Sequence, residues 1–368
     1  MELPTSHRVP LSWLLAHGGE SIRLRVVREL APPGFVPPEP VEAMVQAVVA
    51  SKQVAAVTKK QKDTGLWGGN LLALAPSATA GIKEVGTIPQ YRRLLQLGLP
   101  TDQRAYRLAD RLLYRLLSRD ESPELLFEYQ KGVKGEEKAA AVVRSWLREA
   151  ACCALAEAGH LEDPRLRGAA HKVANEISHF LRSEIVEKPW VRAGTGTALH
   201  PEAYPPSWYS VAMIASMPNL QRERAGFTER LGHYLAQPAP KKAFVIQAGK
   251  KSLKPHYLIL GDPIETDAKG NAKDIPLALH YGELLARMHA LQWAPVATRA
   301  LARLYADCDE TGVWAPKTLK AVPKVVHKVT WHEWPLVAES KTVEARSVDV
   351  TFRLALISKH LGIPLEYT

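Results

Sequence analysis

The stretch Ala306-Asp307-Cys308-Asp309-Glu310-Thr311-Gly312-Val313-Trp314 decides how this chain is read. It follows an amphipathic helical pattern and ends in an acidic turn with a Trp two residues after its Gly. A second copy of the design lies far upstream, at Lys59-Lys60-Gln61-Lys62-Asp63-Thr64-Gly65-Leu66-Trp67-Gly68. Helix, polar turn, Gly-x-Trp and a further apolar helix mark a helical-hairpin repeat.

The rest of the chain agrees with a helical reading. Ile22, Val26, Val27 and Leu30 form one apolar stripe, and Val41, Met44, Val45, Val48 and Val49 a second. Leu108, Leu112, Leu113 and Leu116 form a third. Val142, Val143, Trp146, Leu147, Ala150, Ala154 and Leu155 keep the i, i+3/i+4, i+7 pattern for about four turns. Further helices are expected over 168–186, 208–217, 226–236, 277–293, 296–306 and 347–361. Tyr209–Ala215 and Val348–Ile357 are apolar over much of their circumference and are expected to be buried on more than one side. The helix at 139–158 carries a polar face and is expected to lie outside. Alternating strand patterns are nearly absent. Ala243–Ile246 and Tyr257–Leu260, flanking Gly249-Lys250-Lys251, are the only candidates for one small hairpin.

Prolines punctuate the helices, at Ala31-Pro32-Pro33-Gly34-Phe35-Val36-Pro37-Pro38 and Gln237-Pro238-Ala239-Pro240. The longest irregular region spans 239–275 and reads as an insertion, because the helical pattern resumes in the same style after it. The whole chain, 1–368, therefore reads as a single domain. Its hydrophobic fraction of 46% and charged fraction of 23% are those of an ordinary globular protein. No apolar run approaches the roughly 18 residues that span a bilayer. Met1–Pro10 lacks a signal peptide's apolar core. Cys152, Cys153 and Cys308 offer no C-x-x-C spacing, so neither a disulfide framework nor a thiolate zinc site is indicated. The expected setting is cytoplasmic. The net charge of +10 attracts anionic partners. However, its densest groups, Lys59-Lys60-Gln61-Lys62 and Lys250-Lys251-Ser252-Leu253-Lys254, lack interleaved aromatics, so general solvation explains it better.

Gln61-Lys62-Asp63-Thr64-Gly65-Leu66-Trp67 resembles the Gln-Trp repeat of the squalene cyclase and protein prenyltransferase superfamily. Asp307–Trp314 resembles a second copy without the Gln. Ser21–Leu30, Asp349–Ile357 and Tyr204-Pro205-Pro206-Ser207-Trp208-Tyr209 resemble pieces of uncharacterised bacterial members. The resemblance implies an all-α fold, an α/α toroid of helical hairpins with a central cavity lined near the starts of its inner helices. It implies less about activity, since such folds host cyclases, prenyltransferases, carbohydrate enzymes and plain binders. The leading expectation is a cavity protein for a largely apolar or aromatic ligand, of terpenoid-cyclase or prenyltransferase type if it is an enzyme. Two alternatives stand beside it: a non-catalytic scaffold binding nucleic acid or protein through a basic surface, and a carbohydrate-active enzyme with two carboxylates about 5–9.5 Å apart.

Asp307-Cys308-Asp309-Glu310 nearly matches the Asp-x-Asp-Asp acid of class II cyclases. It sits in the repeat turn, however, where a solvated carboxylate has no power to protonate an alkene. Asp307 and Cys308 with His327 or His332 make a poor match to a zinc set, and no metal or cofactor is expected. Trp67 and Trp314 read as anchors that pack onto the next hairpin. His171, Asn175, Ser178, His179 and Arg182 share one helix face that reads as solvated. Polar groups at the starts of apolar helices are stronger candidates, because burying them unpaired costs about 1–3 kcal/mol each. His280, Glu283, Glu333 and Asp349 are the catalytic candidates. Tyr204, Trp208, Tyr209, Trp331, His332, Trp334 and Arg353 are the ligand-binding ones, with Arg353 placed to hold an anion.

Overall fold

Both Gly-x-Trp turns close through the same main-chain bonds. In the computed structural model, which describes residues 2–194, 196–240, 243–255, 257–317, 319–337 and 342–368, the first turn closes through Gly65 N–H to Lys62 O and Lys62 N–H to Leu66 O, both 2.9 Å. The second closes through Gly312 N–H to Asp309 O at 3.0 Å and Asp309 N–H to Val313 O at 2.9 Å. Each Gly takes a positive φ, 87° and 92°, a region open to Gly at little steric cost. Each following Trp is buried. Its backbone N–H donates to a threonine hydroxyl: Trp67 to Thr87 at 3.1 Å and Trp314 to Thr351 at 3.0 Å. Thus the ring is anchored by packing and the turn by the main chain. The Trp314 indole N–H has no hydrogen-bond partner among the described residues.

The chain divides into two compact units, each interleaved in sequence: Met1–Gln61, Pro89–Gln103 and Ile264–Thr368 form unit 1, and Lys62–Ile88 with Arg104–Pro263 form unit 2. One Gly-x-Trp joint falls in each. In unit 1 the helices Ile275–Arg287 and Val343–Leu361 pack together. Asp274 caps the first by accepting Leu277 N–H, and Thr342 caps the second by accepting Ala345 N–H. Gly362, in the left-handed conformation, ends the latter, and Ile363 N–H returns to Ser358 O at 3.0 Å. Ser347–Ser358 is buried without interruption, as the apolar circumference of 348–357 anticipates. His7–Val9 and Leu365–Tyr367 add a short parallel strand pair.

Unit 2 centres on Glu137–Glu157, which packs against Trp208–Ala215. Ser207 and Ser210 form a reciprocal capping box at the start of the shorter helix, whose eight residues are all buried. The longer helix differs from its expected outward placement. Its first turns expose Glu137, Lys138 and Ala141, but Glu149–Ala156 is buried on every side, because small Ala and Cys side chains let neighbouring elements close around it.

The fold is mostly helical, with fifteen α-helices among the described residues. It holds three small strand pairs rather than at most one. The hairpin near 243–260 is shifted: Ile246–Ala248 pairs with Lys251–Leu253 around Gly249-Lys250, while Leu258 bridges to Ser207. Trp190–Ala193 pairs with Gly196–Leu199. Strands of three or four residues show too little alternation to be read, and the parallel pair joins segments far apart in sequence. Among the described residues no helix is long and apolar enough to cross a membrane.

A Cβ at Gly65 would lie 2.4 Å from Leu108 O, and one at Gly312 would lie 2.0 Å from Arg8 O. Gly34 also has a positive φ, 78°, but open space around it. Gly65→Ala and Gly312→Ala should therefore each cost more than the roughly 1–3 kcal/mol of backbone strain alone, and Gly34→Ala no more than that. Urea unfolding of the three variants checks this. Equal losses at Gly34 and Gly312 would show that the close approach contributes nothing.

Candidate functional site

Unit 1 gathers most of the residues singled out from the sequence. Arg353 comes from the buried middle of the helix Val343–Leu361 and is 1% exposed. A guanidinium cannot shed its charge, so carboxylates must come to it. Glu283 and Glu333 both meet its Nη1, at 3.3 and 3.4 Å. Its Nη2 donates to Glu333 O at 3.0 Å and to Gln96 Oε1 at 3.2 Å. Gln96 Oε1 also accepts from Arg25 at 2.6 Å, and Arg25 holds Glu29 at 2.5 Å. Arg287 grips the other Glu283 oxygen at 2.6 Å. Arg353 is therefore committed to protein partners rather than left to hold an anion.

His280 and His332 complete the cluster. His280 Nδ1 lies 2.9 Å from Glu333 Oε2, and His332 Nε2 lies 3.6 Å from Glu333 Oε1. The two imidazoles meet edge to face, 5.7 Å between centroids. Together with Glu333 they offer three donor atoms within 4.8 Å of one another, a set able to hold a metal ion.

Burial pushes the Glu333 carboxyl upward, but attraction to His280 and Arg353 outweighs it and holds Glu333 well below the usual range. Glu283 is also lowered, Arg287 and Arg353 overcoming its burial. His332 is held well below its ordinary value by burial and then by Arg92. Asp349 does not join the cluster. It accepts Leu336 N–H at 3.1 Å and Val337 N–H at 3.3 Å. Burial raises its carboxyl in spite of Arg353 and these bonds. Trp334 is buried and its Nε1–H donates to Pro323 O at 2.6 Å, whereas Trp331 is half-buried.

The acidic turn behaves as a joint. Although burial pushes the other way, Thr311 and Val313 hold the Asp309 carboxyl low. Cys308 is pushed up to about 12 by burial, then by Asp309 and Asp307, and so keeps its proton; a protonated thiol is a poor metal ligand.

Unit 2 holds the remaining candidates, Tyr204, Trp208 and Tyr209, and with them a residue that pattern reading missed. Glu149 is 4% exposed and accepts hydrogen bonds from the Tyr204 hydroxyl and, at 2.6 Å, from Ser207 Oγ. Burial raises its carboxyl despite Ser207, Tyr204 and Ser210. Its signal in the sequence was a Glu placed between Leu147 and Ala150, beside the clearest apolar stripe of the chain. A cavity of about 410 Å³ opens against Glu149 and Tyr204, walled by Val142, Trp146, Leu199, Ile246 and Leu258, with Lys138 and His200 also lining it. Trp146 stands edge-on to Tyr129 and Tyr257, and Tyr257 lies 5.4 Å from Tyr209. Trp208 is buried, its backbone N–H bonded to Tyr257 O at 2.9 Å. On the neighbouring helix face, Arg224 donates to Asn175 at 2.6 Å and Glu223 pairs with His171 at 3.1 Å, both at the surface.

No family model, curated protein or solved structure matches this chain.

Removing Arg353 leaves two buried carboxylates without their shared cation. Arg353→Met should cost about 3–5 kcal/mol at neutral pH. Glu283 and Glu333 have folded values below the ordinary 4.5. Their contribution is therefore fully present above that value and is lost as pH falls through the depressed folded values. The gap between wild type and Arg353→Met should be widest near pH 7 and narrow below about pH 4.5. Denaturant midpoints across that range measure it, and a gap independent of pH would rule out the carboxylate origin.

Proposed function

We propose that this chain is a helical-hairpin protein of the squalene cyclase and prenyltransferase type, an α/α toroid, that binds a largely apolar ligand with an aromatic or unsaturated portion. The toroid reading is supported by the two Gly-x-Trp joints, which share their main-chain closure and the Trp N–H bond to a threonine. The ligand reading is carried by one observation: the 410 Å³ cavity of unit 2, apolar along Val142, Trp146, Leu199, Ile246 and Leu258, meets a buried carboxyl at Glu149. Pockets that are mostly apolar with a few convergent polar groups are the ordinary form of small-molecule sites.

Glu149 is the group placed for chemistry there. Its raised carboxyl makes the protonated form accessible nearer neutrality, and a protonated carboxyl beside an apolar wall can donate a hydrogen bond or a proton to an alkene, carbonyl or ether oxygen. Tyr204 and Ser207 would then orient it. Lys138 and His200 line the same cavity and suit a ligand with one anionic end.

Val142 is only half-buried, so Val142→Trp should fill the cavity while sparing the core. The test is calorimetric titration of the full chain with farnesol and with 2-naphthoate. At least one should bind saturably at one equivalent, and Val142→Trp should weaken that binding at least about tenfold, the equivalent of 1.4 kcal/mol. If neither probe binds, or Val142→Trp binds them as wild type does, the reading fails.

A further inference from the structure

We propose that unit 1 contains a binding site for one divalent transition-metal ion, held by His280, His332 and Glu333. The argument begins with a proton. His332 Nδ1 lies 3.0 Å from Val329 O. A carbonyl oxygen only accepts, so Nδ1 carries the hydrogen. In the neutral ring Nε2 is then a bare lone pair. That lone pair faces Glu333 Oε1 at 3.6 Å and has no hydrogen-bond partner among the described residues. Two electron-rich atoms thus point at each other in a place 1% exposed. A cation between the two atoms relieves it directly.

The spacing fits such an ion. Ligand atoms about 2.0–2.2 Å from a tetrahedral metal stand about 3.3 Å apart. The nitrogen–oxygen separations, 2.9 Å from His280 to Oε2 and 3.6 Å from His332 to Oε1, lie on either side of that figure, one at each oxygen of the carboxylate. All three donor atoms lie within 4.8 Å of one another. Two imidazoles and a carboxylate suit zinc, iron or cobalt rather than calcium or magnesium, which prefer all-oxygen shells.

The surroundings are those that orient ligands. A ligating histidine commonly donates its other N–H to a backbone carbonyl, as His332 does to Val329. Arg353 also meets Glu333 Oε2, and Glu283, already on Arg353 and Arg287, offsets part of the added positive charge. Sequence position adds rigidity. His332 and Glu333 are consecutive, in a turn braced by Glu333 N–H to Thr330 O at 3.0 Å, and His280 projects from the helix Ile275–Arg287.

The test uses the full chain without an affinity tag, loaded with Zn²⁺ or Co²⁺ during refolding and dialysed against a weak chelator. Wild type should retain one equivalent of zinc by elemental analysis, and the Co²⁺ form should show the visible absorption of a four- or five-coordinate site. His332→Gln and His280→Gln should each lower retention at least about tenfold, the equivalent of 1.4 kcal/mol. His171→Gln, at the surface pair with Glu223, should change nothing. Circular dichroism reports whether the variants fold. If they do not, the wild-type Co²⁺ band, and its survival in His171→Gln, decides the matter alone. No retained metal, no such band, or equal retention in folded His332→Gln overturns the proposal.

Discussion

A guanidinium inside a buried helix is the constraint from which the polar interior of unit 1 follows. Arg353 stands among Val350, Phe352, Leu354, Leu356 and Ile357, none more than 1% exposed. Its charge cannot be shed and water cannot reach it, so carboxylates from two other segments converge on it. Glu283 and Glu333 answer that demand, and each brings its own partner: Arg287 for the first and His280 for the second. Gln96 then links Arg353 to Arg25. The helix Ile275–Arg287 and the turn at 331–334 are thereby held to Val343–Leu361 by charge as well as by packing. Such a network has few alternative registers, because a one-residue shift of any segment would leave a buried charge unpaired.

Unit 2 solves a milder version of the same problem. Hydroxyls from Tyr204 and Ser207, rather than a guanidinium, meet the Glu149 carboxyl. Hydroxyl donors stabilise a carboxylate less than a cation does, so here burial prevails and the carboxyl is raised rather than lowered. The contrast between Glu333 and Glu149, both nearly inaccessible, comes from the identity of their neighbours. One is fixed as an anion in a structural network. The other is shifted toward its protonated form beside a cavity.

The repeat joints show how a short motif can be legible without being chemical. Asp309 resembled a cyclase acid, yet its Oδ1 accepts from Thr311 and Val313 within the turn, and the neighbouring glycine admits Arg8 O where a side chain would collide. The acidic residues shape the turn. The same construction at Lys62–Trp67, with Leu108 O against Gly65, explains why Gly recurs at both places.

Periodicity was enough to locate nearly all the long helices, and the apolar circumference of Tyr209–Ala215 and Val348–Ile357 correctly marked them as buried, because burial leaves its record in the local order of residue types. It also pointed to His280, Glu283, Glu333 and Arg353, since polar groups on such helices need partners. It could not say that those four meet one another while Asp349 turns to the amides of Leu336 and Val337, nor that Arg353 is consumed by Glu283 and Glu333. It overlooked Glu149, whose meaning depends on Tyr204 and Ser207, more than fifty positions away. It misplaced the small hairpin and missed two other strand pairs, because a three-residue strand has no period to read. What the sequence by itself determined is therefore whatever depends on spacing along one helix. Only the tertiary structure decided which charges meet, which carboxyl is ionised and where a cavity opens, because those depend on distances between segments that the order of residues does not contain.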